Sequence, residues 1–291
     1  MDTALTQPLV DWFAEHARDL PWRQPGTPAW HVLVSEVMLQ QTPVVRVLPA
    51  YRAWLERWPT PAALAADPPG EAVRMWGKLG YPRRALRLHA CAVALVERFD
   101  GQVPTELEDL LDLPGVGEYT ARAVLAFAYR RRAAVVDINV RRVLARAVDG
   151  SGQCGPPSTR RDLAAMEAVL PTADDEAARF CAAMMELGAV LCPASSPPRC
   201  AECPIAFTCA WRLAGYPVYA GPVARSQKFT GTDRQVRGLL MDVLRAASGP
   251  VPSSALDIEW PDPLQRARAL DSLVADGLLD PLPDGRFALP S

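Results

Sequence analysis

Four of the seven cysteines fall between positions 192 and 209, in the run CPASSPPRCAECPIAFTC. No other feature restricts the folding of this chain as much. Four thiols in so short a stretch can converge on one metal centre and pin the segment around it. Four buried structural cysteines are a poor alternative, because Pro-rich loops run over the surface and seldom bury free thiols. A disulfide framework is also a poor fit: the cysteine total is odd, and the N-terminus, MDTALTQPLVDWFAEH, carries acids and no early basic residue, unlike a secretory signal. Cys192, Cys200, Cys203 and Cys209 are therefore the candidate metal ligands. Their spacing holds one Cys-x₂-Cys pair, whereas zinc sites more often show two, which favours an iron–sulfur centre and leaves zinc as its competitor. Cys91, Cys154 and Cys181 read as ordinary small residues.

At 291 residues the chain has room for one large domain and a small one. Hydrophobic residues make up 49% of it, yet no apolar run approaches the roughly 18–20 residues that span a bilayer. No membrane association is expected, and the location expected is the cytoplasm. The net charge of −2 argues mildly against a nucleic-acid partner, but distribution matters more than the sum. Lys78 and Lys228 are the only lysines, so the positive charge is nearly all arginine, the better residue for bidentate phosphate contacts. Arg83, Arg84 and Arg87, then Arg130 to Arg132, then Arg141, Arg142 and Arg146 form local basic clusters. Taken alone, each reads as a solvated face.

Helical periodicity dominates up to about residue 215, as in Leu86, Cys91, Ala94 and Leu95 or Val140, Val143, Leu144 and Ala147. Thr42-Pro43 and Thr60-Pro61 each place a capping hydroxyl ahead of a first-turn proline. Residues 216–231 lack a period, hold several turn formers and read as a linker. Beyond them Val236 to Ala247 and Pro263 to Gly277 read as helices, and Asp-Gly in LLDPLPDGRFALP marks a hairpin. Helices followed by a hairpin in residues 232–291 fit a small winged-helix-like module. The fold class is thus mainly α.

LEDLLDLPGVGEYTARAVLAFAYR reads as helix, tight turn, helix. In the turn, Leu113-Pro114-Gly115-Val116-Gly117, two glycines expose amides at the N-terminus of the next helix, where the dipole favours an anion such as a DNA phosphate. Glu36, in WHVLVSEVMLQQT, shares a helical face with Val32, Leu33, Leu39 and Gln40. Desolvation there raises a carboxyl pKa and suits a proton donor. Asp137, in AAVVDINVRRVLARA, sits where an N-cap belongs, and a cap would fix the carboxylate and keep it ionised. One carboxyl as acid and one as carboxylate is what glycosidic cleavage requires.

These pieces, taken with Leu20-Pro21-Trp22-Arg23, SEVMLQQT at 35–42, Leu79-Gly80-Tyr81 and Val136-Asp137-x-Asn139-Val140, resemble the A/G-mismatch-specific adenine DNA glycosylases. That family lies in the endonuclease III-like, helix-hairpin-helix superfamily. The resemblance covers about residues 5–215. It implies a two-lobed helix-hairpin-helix glycosylase domain over residues 1–215, with one lobe holding a [4Fe-4S] cluster in 192–209 and DNA bound between the lobes. It implies further that Glu36 protonates the adenine ring and then activates water. Asp137 stabilises the oxocarbenium-like sugar, directly or through a covalent intermediate, with Asn139 beside it. Tyr119 matches the position where bifunctional relatives carry a Schiff-base lysine, so no strand cleavage is expected. Trp22, Arg23, Thr42 and Leu79 resemble substrate-binding residues, and Gln41 and Tyr81 resemble side chains that wedge into the duplex as a base is flipped. Leu113, Gly115, Val116 and Gly117 resemble the phosphate-binding turn.

The partner implied is double-stranded DNA with a mismatched or oxidised base pair, met by a monomer associated with the nucleoid. Two departures stand out. The first cysteine gap is seven residues, where the family usually has six. Residues 232–291 are also too short for the Nudix-like domain that ends many members, although GTDRQVRG and LDSLVADGL resemble the tails of some members from GC-rich bacteria. Two other readings compete: a glycosylase for another base, such as thymine opposite guanine, and a non-catalytic iron–sulfur DNA-binding protein.

Overall fold

A computed structural model describes residues 3–222, 229–258 and 260–291. Part of the expected linker, 223–228, lies outside the described residues. Among the described residues fourteen α-helices follow one another: α1 (Thr3–His16), α2 (Ala29–Leu39), α3 (Val44–Arg57), α4 (Pro61–Ala65), α5 (Pro69–Trp76), α6 (Arg83–Phe99), α7 (Leu107–Leu111), α8 (Glu118–Phe127), α9 (Ile138–Ala147), α10 (Thr159–Val169), α11 (Asp174–Val190), α12 (Ala210–Leu213), α13 (Asp233–Ala246) and α14 (Pro263–Ala275). Among the described residues the first strand begins at Val251, beyond the stretch where helical periodicity dominates. The chain divides into two compact units. The first takes Met1–Val32, Thr105–Leu111 and Val116–Ala224; the second takes Leu33–Pro104, Asp112–Gly115 and Arg225–Ser291.

In the first unit α11 is the central element, packed by α1, α8 and α9. Its sequence, DDEAARFCAAMMELGAV, explains why. Ala177, Ala178, Ala183 and Gly188 are buried and let neighbouring backbones approach, while Phe180, Met184 and Leu187 fill the space between them. The acids of its first turn complement the helix dipole.

The second unit is built round α6, whose buried stripe of Ala85, Leu88, Cys91, Ala92 and Leu95 takes α4 and α5. Trp54 meets Trp58 and Trp76 edge-on, at ring separations of 4.6 and 5.6 Å, and all three are buried. Thr60 caps α4 as expected, accepting from the Ala63 amide.

The same unit includes the tail. There α13 packs on α14, and three short strands, β1 (Val251–Pro252), β2 (Asp280–Pro281) and β3 (Arg286–Ala288), form an antiparallel sheet in the order β1-β3-β2. The Asp284-Gly285 turn joins β2 to β3, with Gly285 at φ 80°. The tail is fastened to α5. Arg74 donates to the carbonyls of Arg245 and Ala247 at the end of α13, at 2.5 and 2.6 Å, and the Gly70 amide donates to the Pro290 carbonyl at 2.7 Å.

Candidate active site

The residues singled out by sequence fall in both units. Glu36, Gln41, Thr42, Leu79 and Tyr81 belong to the second, as do Leu113 and Gly115. Trp22, Arg23, Val116, Gly117, Tyr119, Asp137, Asn139 and the four clustered cysteines belong to the first.

Glu36 lies on α2 and is only 3% exposed. Its surroundings are more apolar than a single helical face would give, because every residue from Val32 to Met38 is buried. A helix buried all round suits a carboxyl group kept from water.

Past the end of α2 the chain turns through Gln40–Pro43, and Gln41 takes φ 57°. Tyr81 takes φ 48° in the loop before α6. Left-handed backbone is uncommon for such residues and costs roughly 1–3 kcal/mol at each position, so something must hold both loops in place. Arg84, in the first turn of α6 and 7% exposed, does so. Its guanidinium donates to the carbonyls of Val37, Met38 and Gln40 at 2.8, 3.0 and 2.7 Å. It also donates to the Gly80 carbonyl and the Thr42 hydroxyl, both at 3.0 Å. The rings of Trp76 and Tyr81 flank it at 5.1 and 5.7 Å. Burial pushes the Arg84 pKa down to about 10, which still leaves it charged at neutral pH. The expectation that Thr42 caps the next helix is corrected: α3 begins after Pro43 with no side-chain cap, and the Thr42 hydroxyl serves Arg84 and the Leu79 carbonyl instead. Gln41 and Tyr81 are both exposed.

Asp137 is the N-cap of α9, one carboxylate oxygen accepting from the Val140 amide at 2.7 Å and the other from the Asn139 amide group at 2.7 Å. Arg142 holds the other end of that amide at 2.7 Å and anchors to the carbonyls of Gly188 and Cys192. Gly188 is required here, because a Cβ at that position would sit 2.7 Å from the Asn139 Cβ. The cap works in favour of the ionised carboxylate, and burial works against it. Burial raises its pKa, and the hydrogen bonds from Val140 and Asn139 offset only part of that rise.

Trp22 and Arg23 form a short 3₁₀ turn, with Trp22 buried. Arg23 donates to Glu186 at 2.9 Å, and Arg18 donates to the same carboxylate at 2.6 and 2.8 Å. Glu186 is fully buried. Burial acts to raise its pKa, but the bonds and charges of Arg18 and Arg23 outweigh it and hold the carboxyl below its ordinary value. No local pattern marks this residue. At the end of an Ala-rich helix it looks like a solvated acid.

The glycine turn runs between α7 and α8 as expected, with Gly115 at φ 78° against the side chain of Arg87. Gly117 is the N-cap of α8 and supplies no side-chain cap. Leu113 and Val116 are buried. Most of the basic clusters do not form free cationic faces. Arg130, Arg131, Arg132 and Arg141 pair with Asp175, Glu106, Glu167 and Asp162, and Arg142 and Arg146 are buried. Arg87 is exposed.

Cys192, Cys200, Cys203 and Cys209 all line one cavity in the first unit, walled by Leu187, Ile205 and Trp211. Arg146 lies over the Trp211 ring and donates to the Cys192 sulfur at 3.0 Å. Burial pushes the Cys203 thiol up to about 11 and Cys209 upward as well. Among the described residues, no group of three or more His, Cys, Asp or Glu side chains is placed to hold a metal ion.

Comparison with known proteins gives these features a context. Residues 34–167 match the HhH-GPD superfamily of base excision DNA repair proteins. An adenine DNA glycosylase of Mycolicibacterium smegmatis is 56% identical over 283 residues, covering 97% of this chain and 94% of that protein. The solved structure of a thermostable thymine-DNA glycosylase matches with a TM-score of 0.65 and 26% identity, over 72% of this chain and 95% of its own. An endonuclease III bound non-covalently to DNA matches in fold with a TM-score of 0.59 and 23% identity, over 71% of this chain and 94% of its own.

Glu186→Ala is expected to cost about 3 kcal/mol, the low end for breaking a buried pair because Arg18 still reaches solvent. A depressed folded pKa contributes stability that is present above the unfolded value, about 4.3, and lost as pH falls through the folded one. Thermal unfolding of the wild type should therefore weaken on acidification more than that of the variant. Parallel pH curves would contradict the pairing.

Proposed function

The chain belongs to the adenine DNA glycosylases of the HhH-GPD superfamily, and from that premise we propose that it hydrolyses the N-glycosidic bond of adenine mispaired with 8-oxoguanine or guanine. The observation that carries this reading is the match to an adenine DNA glycosylase along 97% of the chain. It makes the protein a base-excision-repair enzyme acting on duplex DNA. We read it as a monomer of the nucleoid-associated cytoplasm. No helix among the described residues is long and apolar enough to cross a membrane.

In this reading Gln41 and Tyr81 enter the duplex while the adenine swings out toward Trp22, Arg23, Thr42 and Leu79. Glu36 gives its proton to the adenine ring, which makes the base a better leaving group. The bond between sugar and base breaks with its electron pair going to adenine, and positive charge develops on the sugar. The Asp137 carboxylate, oriented by Asn139 and the Val140 amide, stabilises that charge. Glu36, now ionised, takes a proton from the water that adds to the sugar carbon. Tyr119 cannot form an imine, so the strand stays intact. Leu113, Gly115, Val116 and Gly117 supply backbone to a phosphate.

Cys192, Cys200, Cys203 and Cys209 are proposed to hold a [4Fe-4S] cluster. Thiols spread round one cavity suit several irons better than a single zinc with four sulfurs at about 2.3 Å. When bound, the group would cross-link the Pro-rich segment. We propose a division by chain order into 1–215 for the glycosylase, 216–231 for the linker and 232–291 for a C-terminal module. Its helices and β1-β3-β2 sheet support a winged-helix-like reading.

Single-turnover assays on duplexes with A opposite 8-oxoguanine, A opposite G and T opposite G should release adenine and no thymine. Glu36→Gln should lower that rate by at least about a hundredfold while duplex binding persists; thymine release would replace this reading with a thymine glycosylase. Asn139→Ala removes a bond that lowers the Asp137 pKa, so the acid limb of the rate profile should move to higher pH. A limb that stays put would take Asn139 out of this role. Cys200→Ser should lose iron and the brown cluster absorbance, and stoichiometric zinc in the wild type would overturn the iron assignment.

A further inference from the structure

Six arginines lie between positions 229 and 291, and five of them pair with aspartates: Arg237 with Asp276, Arg245 with Asp242, Arg266 with Asp257, Arg268 with Asp233 and Arg286 with Asp284. Arg234 differs. No carboxylate pairs with it among the described residues; its guanidinium donates to the Tyr81 hydroxyl at 3.2 Å and lies 5.9 Å from that ring and 5.3 Å from the ring of Phe229. It also stands in the first turn of α13, the end of a helix where the dipole disfavours a cation. Helix stability therefore does not account for its placement, whereas the contact with Tyr81 does.

Tyr81 is the exposed, left-handed residue of the wedge loop, and Arg84 holds that loop from beneath. Arg234 reaches the same ring from the tail. The tail is held firmly enough to do this, through Arg74 on the end of α13, Lys78 with Asp242, and Arg83 with Asp276.

We propose that the C-terminal module is a working part of the base-opening apparatus, with Arg234 as the positioning residue that sets the Tyr81 side chain for insertion into DNA. The proposal rests on the reading of Tyr81 as a wedge. It gives the short tail a task that acts through the protein's own tyrosine.

A double-mutant cycle tests it, with single-turnover adenine release from an A·8-oxoguanine duplex as the readout. R234A should slow release about fivefold, the size of one exposed cation–π contact plus a hydrogen bond, with the melting temperature lowered by no more than a few degrees. Y81A should slow it as well, and R234A added to Y81A should cost nothing further. The salt dependence of duplex binding should be the same with and without Arg234. A full fivefold loss in the Y81A background, or no loss in the wild-type background, overturns the proposal. A salt slope reduced by about one would make Arg234 a phosphate contact and overturn it too. If Y81A alone keeps the wild-type rate, the wedge reading fails along with the proposal. Wild-type protein that releases no adenine would instead sink the proposed function.

Discussion

A buried carbonyl that no helix or strand claims has to be met by another donor, and this protein meets many of its own with arginine. Arg84 takes four carbonyls and a hydroxyl from two loops and the end of α2. Arg142 and Arg146 do the same for the chain around Gly152, Gly188 and Cys192, and Arg74 for the end of α13. The planar guanidinium, with five donors in a fixed fork, suits this work in a way that a lysine ammonium does not. A chain with 29 prolines and many short connections leaves numerous carbonyls outside regular structure. Several of its arginines are thus spent inside the fold, and a composition that looks suited to DNA says little about the DNA-facing surface.

Much of the architecture was legible because it rests on local rules. Period and capping located α4 by its Thr60 hydroxyl, α9 by Asp137 and the last hairpin by Asp-Gly. Thr42 looked like Thr60 in sequence but does a different job, because Arg84, forty-two positions away, claims its hydroxyl. That competition is tertiary and leaves no local trace. Glu186 was missed for the same reason: its partners, Arg18 and Arg23, lie more than 160 positions upstream. The sign of the Asp137 shift was also beyond reach, since it depends on how burial weighs against two hydrogen bonds.

The site residues divide by how they are held. Glu36 is fixed by a helix buried on all sides and Asp137 by its own cap, so both acids stand on regular structure. Gln41 and Tyr81 stand on strained loops and depend on side chains elsewhere. Chemistry needs fixed geometry, and probing a duplex needs protruding groups that regular elements do not readily present.

Because Arg84 braces both strained loops, a change at that one position would loosen at once the two residues that the proposed function sends into the duplex. An adenine left opposite an oxidised guanine templates thymine at the next replication, turning G·C into T·A. On the proposed function, the damage from such a change would surface in the genome, as a skewed spectrum of transversions accumulating over generations.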